Sequence, residues 1–155
     1  TGFRGAAPSV LGRKTARDGG QVARAIAGRI EATEAALAQR SSAASKSMLK
    51  HLRAARAAFV EVVDFVAGST KASPNAVFAG SVPYLMLAGN VVAGWQMARA
   101  LIVAEDQRAE DAAFMDAKVA TARFYAEHIL SKVPGVRDSI IEGHAAVNDM
   151  ALEAF

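Results

Sequence analysis

Between Lys71 and Arg99 the chain carries no charged side chain, and the stretch 77–104 reads VFAGSVPYLMLAGNVVAGWQMARALIVA. An apolar run of about 20 residues or more has two homes, a bilayer or the inside of a protein. Pro83, Asn90 and Gln96 interrupt this one, as do Gly80, Gly89 and Gly94. No second span accompanies it, and the segments around it are of ordinary amphipathicity. A helix apolar on all sides is also the central helix of a soluble bundle. The run is therefore expected to be that buried helix rather than a membrane span, with Pro83 kinking it or opening its main part. An aspartate at Leu85 or Val92 should then unfold the domain.

The rest of the chain supplies helices to surround it. Residues 15–38 place Val22, Ile26, Ile30 and Leu37 at helical spacing, and a Ser/Ala turn at 41–45 follows. Residues 46–67 carry the stripe Met48, Leu52, Ala55, Phe59, Val62 or Val63 and Val66, with Gly68 as a C-terminal stop. Ser73 before Pro74 reads as an N-cap with proline at the first helical position. A further helix over 111–132 is expected to turn Phe114, Ala117, Thr121, Phe124 or Tyr125, His128 and Ile129 inward, until Pro134-Gly135 breaks it. A short last helix over 137–153 would bury Ile140, Ile141, Val147 and Met150 or Ala151. Residues 1–14, punctuated by Gly2, Gly5, Pro8 and Gly12, form an irregular lead-in. Ala supplies much of the 52% apolar content and aromatics only 6%, which favours helix over an all-β domain. The expected fold is all-α: one bundle over 15–155, with four main helices and a short C-terminal one.

Chemistry is excluded more readily than assigned. Without cysteine there is no disulfide, zinc–thiolate site or thiol nucleophile, which fits a cytoplasmic protein. Glu-x-x-His metal pairs are absent, because Met48, Tyr125 and Ile141 stand three residues before His51, His128 and His144. Neither a nucleophile elbow nor a phosphate-binding glycine loop occurs. Gly89 and Gly94 are better read as points of close helix approach. Trp95 and Phe124 suit core packing better than stacking on a ring-bearing ligand. His144, Asn148 and Asp149 suit surface hydrogen bonding better than catalysis. Residues 1–58 hold eleven Lys/Arg against three Asp/Glu, a local +8, and residues 59–155 hold seven against twelve, a local −5. A basic first third can hold a polyanion. These cations are spread along helices, which points instead to pairing with the acidic remainder or with a partner's surface.

Several stretches together resemble one family. Leu11-Gly12-Arg13-Lys14-Thr15-Ala16-Arg17-Asp18-Gly19-Gly20 is similar to the segment after the flavin-contacting motif of acyl-CoA dehydrogenases. Val82-Pro83-Tyr84-Leu85 through Gly89, Gly94-Trp95 and the run Lys118 to His128 resemble the additional C-terminal domain of one branch, the methylmercaptopropionyl-CoA dehydrogenases and similar enzymes. Pro134-Gly135 and the Ile-Ile-Glu-Gly helix after it complete a likeness over about residues 11–153.

The resemblance implies FAD-dependent α,β-dehydrogenation of acyl-CoA thioesters. In that reaction a glutamate takes the α-proton, and the β-hydrogen leaves as hydride to the flavin. In the family that base opens a Glu-Gly-Thr motif, and this chain starts Thr1-Gly2-Phe3-Arg4, so it is expected to begin just after it. Arg4 stands where a flavin-contacting glutamine is found, and the spacing to Gly12 is longer. No catalytic residue is therefore assigned and no FAD is expected on this chain alone. The chain is expected to be a C-terminal piece that packs against the catalytic body of an acyl-CoA dehydrogenase or against itself. The alternative is a free-standing basic bundle that uses Arg13, Lys14, Arg17, Arg24, Arg53 and Arg56 on a polyanion or partner protein. Without an aromatic among those cations, no specific nucleic-acid recognition is expected.

Overall fold

The computed structural model describes residues 15–149, all-α among those residues. The elements are α1 (Gln21–Ala38), α2 (Ala43–Ser69), α3 (Pro74–Ala79), α4 (Ser81–Asp106), α5 (Ala112–His128), a 3-10 turn (Leu130–Lys132), α6 (Val133–Ile141) and α7 (His144–Asn148). The four main helices expected from periodicity are α1, α2, α4 and α5. The expected lead-in 1–14 and the apolar positions Met150 and Ala151 lie outside the described residues, as does the side chain of Val147.

The centre of the bundle is α2, not the uncharged run. Ten of its 27 residues are buried, against seven of 26 in α4 and two of 17 in α5. Its predicted stripe is buried at every position, and Ala44, Ser45 and Ala58 widen it. A stripe that broad can be packed from several sides, and α1, α3, α4, α5, α6 and the 3-10 turn all lie against it. Ser42 caps this helix, its hydroxyl accepting from the Ser45 amide at 2.9 Å, so the helix begins earlier than its polar sequence suggested.

The uncharged segment divides at Gly80. Proline opens α3 as expected, although Ser73 makes no side-chain cap there, and Pro83 lies in the first turn of α4. On α4 the buried residues are Tyr84, Leu87, Val91, Gly94, Ala98, Leu101 and Ala104. These fall at three- and four-residue steps, the seam of one packed face. Only 28% of the helix's most apolar stretch is buried in the domain. Leu85 and Val92 are half-buried, so the expected central burial does not hold at either. Gly94 does mark a close approach: a Cβ there would stand 2.6 Å from Leu130 Cδ2. Gly89, on the opposite side, has nothing within 4 Å of that position.

Two other expectations change. The helix over 15–38 starts only at Gln21, because Gly19 and Gly20 take left-handed backbone angles (φ 64° and 82°) and Asp18 accepts from the Gly20 and Val22 amides. Helix α5 turns its other face inward. Ala122 and Ala126 are buried, with Val119 and Tyr125 packed against the core, whereas Phe114 and Phe124 are 53% and 59% exposed. Alanines allow α5 to lie close on α2 and α4, and the larger side chains a few positions away then swing outward. After α5, Pro134-Gly135 sits inside α6 rather than in a break, since proline is accommodated in a helix's first turn.

Candidate docking surface

A helix buried along one seam leaves an outer face, which on α4 is mostly apolar, with Gln96 and Arg99 exposed in its C-terminal half. On α4 this face carries Val82 (62% exposed), Met86 (59%) and Val103 (50%), with Gly89, Ala93 and Ala100 between them. At one flank α1 adds Val22, 63% exposed although it was expected inside. Between α1 and α4 lies a notch of about 150 Å³, lined by Thr15, Val22, Ala23, Ile26, Phe59, Tyr84, Ala88 and Val92. The Thr15 and Tyr84 hydroxyls share a hydrogen bond of 2.7 Å at its wall. Burial pushes the Tyr84 phenol above its ordinary range, against the opposing effect of the Thr15 bond. With both hydroxyls paired, the notch offers apolar contact.

Farther along α4 a wider, open groove of about 470 Å³ runs to α5, bordered by Gln96, Arg99, Val103, Phe114 and Lys118. Lys118 Nζ lies 5.0 Å from the centre of the Phe114 ring, and the Arg99 guanidinium 5.7 Å from that of Trp95. Trp95 belongs to the packing, as expected: half-buried, it donates through Nε1 to Thr33 Oγ1 at 2.8 Å. Phe124, expected in the core, stacks on His128 at the surface, 4.4 Å between ring centres.

The histidines have separate surroundings. His144 stacks on Phe65 at 5.9 Å, while His51 lies half-buried near Glu127. No group of three or more potential metal ligands occurs among the described residues. Asp149 is exposed, and the side chain of Asn148 lies outside what is described.

Carboxylates pair with four cations of the basic first third. Arg24 reaches Asp64 at 2.6 Å; Arg53 and Arg56 reach Glu34 at 3.8 and 2.8 Å; Arg40 reaches Glu105 and Asp106 at 3.1 and 2.8 Å. The pairing expected with the acidic remainder thus holds for Arg24 and Arg40, whereas Arg53 and Arg56 pair within the first third. Arg13 and Lys14 lie outside the described residues.

A flavin fits poorly onto this surface. The notch is below the roughly 300–1,000 Å³ of ordinary ligand sites, and the α4–α5 groove is an open shelf. The segment similar to the flavin-contacting region, up to about Gly12, lies outside the described residues.

The family described as "acetyl-CoA dehydrogenase C-terminal like" matches residues 25–151. The chain belongs to this acyl-CoA dehydrogenase C-terminal-like family. It is 40% identical to a 3-methylmercaptopropionyl-CoA dehydrogenase of Ruegeria pomeroyi, in an alignment covering 87% of this chain and 24% of that protein. The chain thus spans about a quarter of the length of the curated relative it matches.

Proposed function

We propose that this chain is the C-terminal helical domain of an FAD-dependent acyl-CoA dehydrogenase, and that it serves packing and assembly rather than the dehydrogenation step. The observation that carries this reading is the family match over 25–151, in a chain a quarter as long as the dehydrogenase it resembles. The mostly apolar outer face of α4 supports it, since an exposed apolar patch on the order of 300 Å² is often a contact surface. Base, flavin and thioester belong to the rest of such an enzyme, whose reaction is α,β-dehydrogenation of an acyl-CoA. The helix that is long and apolar enough to cross a bilayer, Ser81–Asp106, has its seam on the other helices, which supports assembly in a soluble protein over a membrane span.

The purified 155-residue chain should be colourless and should reduce no artificial electron acceptor when given acyl-CoA. Stoichiometric yellow flavin, or turnover with any acyl-CoA, would overturn the reading.

A further inference from the structure

The outer face of α4 is broad enough to specify a contact and too narrow to hold two free molecules together. From Val82 to Val103 it spans about 32 Å at 1.5 Å per residue, and a helix is about 10 Å wide, so the face offers on the order of 300 Å². Val22 and the notch extend it on the α1 side. A stable complex of separate chains needs about 800 Å² per partner. Contacts between domains of one polypeptide hold with less, because the tether keeps the second surface at high effective concentration. The shape of the face fits a helix. Gly89 and Ala93 form a low saddle beside Val82 and Met86, with Gln96 and Ala100 between it and Val103, and nothing of the domain occupies the space above Gly89.

Direction comes from Thr15. It is the first described residue and lines the notch, so the described domain begins at the margin of this face. The notch itself, about 150 Å³ and apolar, is the size of cavity that takes a benzene ring. That is room for one phenyl-sized or leucine-sized side chain.

We infer that the outer face of α4 is seated against an uncharged helix of the catalytic body of the same acyl-CoA dehydrogenase polypeptide, and that one large apolar side chain of that helix fills the notch between α1 and α4. This rests on the domain belonging to such an enzyme, and the test separates the two claims.

Met86 reports on the face without mutation, because thioether oxidation follows exposure. It is exposed on the N-terminal half of the face, whereas Met48 is fully buried in α2 and serves as the internal control. Dilute peroxide is applied to the 155-residue chain and to the intact polypeptide that carries it, and sulfoxide at each methionine is followed by mass spectrometry. Met86 should oxidise readily in the chain alone and about tenfold or more slowly in the intact enzyme, with Met48 slow in both. Equal Met86 rates in a flavin-loaded, acyl-CoA-active intact enzyme would overturn the docking face and leave the functional reading standing. Protection that appears in the chain alone and grows with its concentration would also overturn it, by making a second copy the occupant. Protection of the chain by neutral phosphatidylcholine vesicles would do so in favour of a bilayer. An intact polypeptide that neither holds flavin nor oxidises acyl-CoA would overturn both claims.

Discussion

Glu34 is 2% exposed, and its two oxygens accept from Arg56 Nε at 2.8 Å and Arg56 Nη2 at 3.0 Å. A carboxylate that far from water is tolerable only while its lone pairs are met by a charged donor. Truncating Arg56 to alanine removes both hydrogen bonds and leaves only the ion pair with Arg53 at 3.8 Å, so it should cost about 3–5 kcal/mol of unfolding free energy. A urea titration of the variant against the parent measures this, and a loss below about 1 kcal/mol would show that water reaches Glu34 in solution. A titration effect lies across the α2–α5 contact. Burial holds the His51 imidazole below its ordinary range, Lys50 acts in the same direction, and Glu127 opposes them. Hydrogen bonds from Arg123 and then Ser47 hold the Glu127 carboxyl low as well. Both folded-state values lie below the unfolded ones, so the unfolded chain binds more protons, and stability falls as pH is lowered. For His51 the loss begins as pH drops through about 6.5 and is complete below its depressed folded value. Thermal melts between pH 7.5 and 5 should show a declining Tm whose slope flattens in His51→Gln. An unchanged slope in that variant would remove His51 from the account.

At the scale of elements, legibility followed the placement of charge. The α2 stripe could be read residue by residue, because Lys50, Arg53, Glu61 and Asp64 mark its wet positions and leave Met48 to Val66 for the core. On α4 that contrast is missing. Val82 and Met86 are as apolar as Leu87 and Val91, and nothing local tells which pair faces α2 and which awaits a cover. Helix α5 misled for a different reason. Phe114 and Phe124 draw the eye by size, but Ala122 and Ala126 decide the packing by allowing close approach. Adjacent residues on α4 now separate the two faces. Leu87→Asp buries an unpaired charge and should abolish cooperative unfolding in circular dichroism melts, against a total stability of about 5–15 kcal/mol. Met86→Asp should shift stability by about 0.5 kcal/mol or less, the usual size of a surface change. Comparable destabilisation by both would return α4 to the centre of the bundle.

For the whole molecule, function was legible only through resemblance. Composition and periodicity led to a helical bundle and excluded thiol and Glu-x-x-His metal chemistry, while the family came from stretches such as Val82 to Gly89 and Lys118 to His128. The candidate surface was hidden in the same run that announced the helix, because a sequence shows that a face is apolar without showing what lies against it. A domain held by such a face should stabilise the body that covers it, since interactions made only in the docked state favour that state. The most direct measurement is flavin-fluorescence melting of the acyl-CoA dehydrogenase polypeptide with this domain present and with it deleted. The account predicts flavin release several degrees lower in the deleted form, on the scale of about 2–4 °C per kcal/mol for larger domains, and recovery on adding the separate 155-residue chain at high concentration. Identical flavin melting and an unchanged assembly state with and without the domain would contradict it.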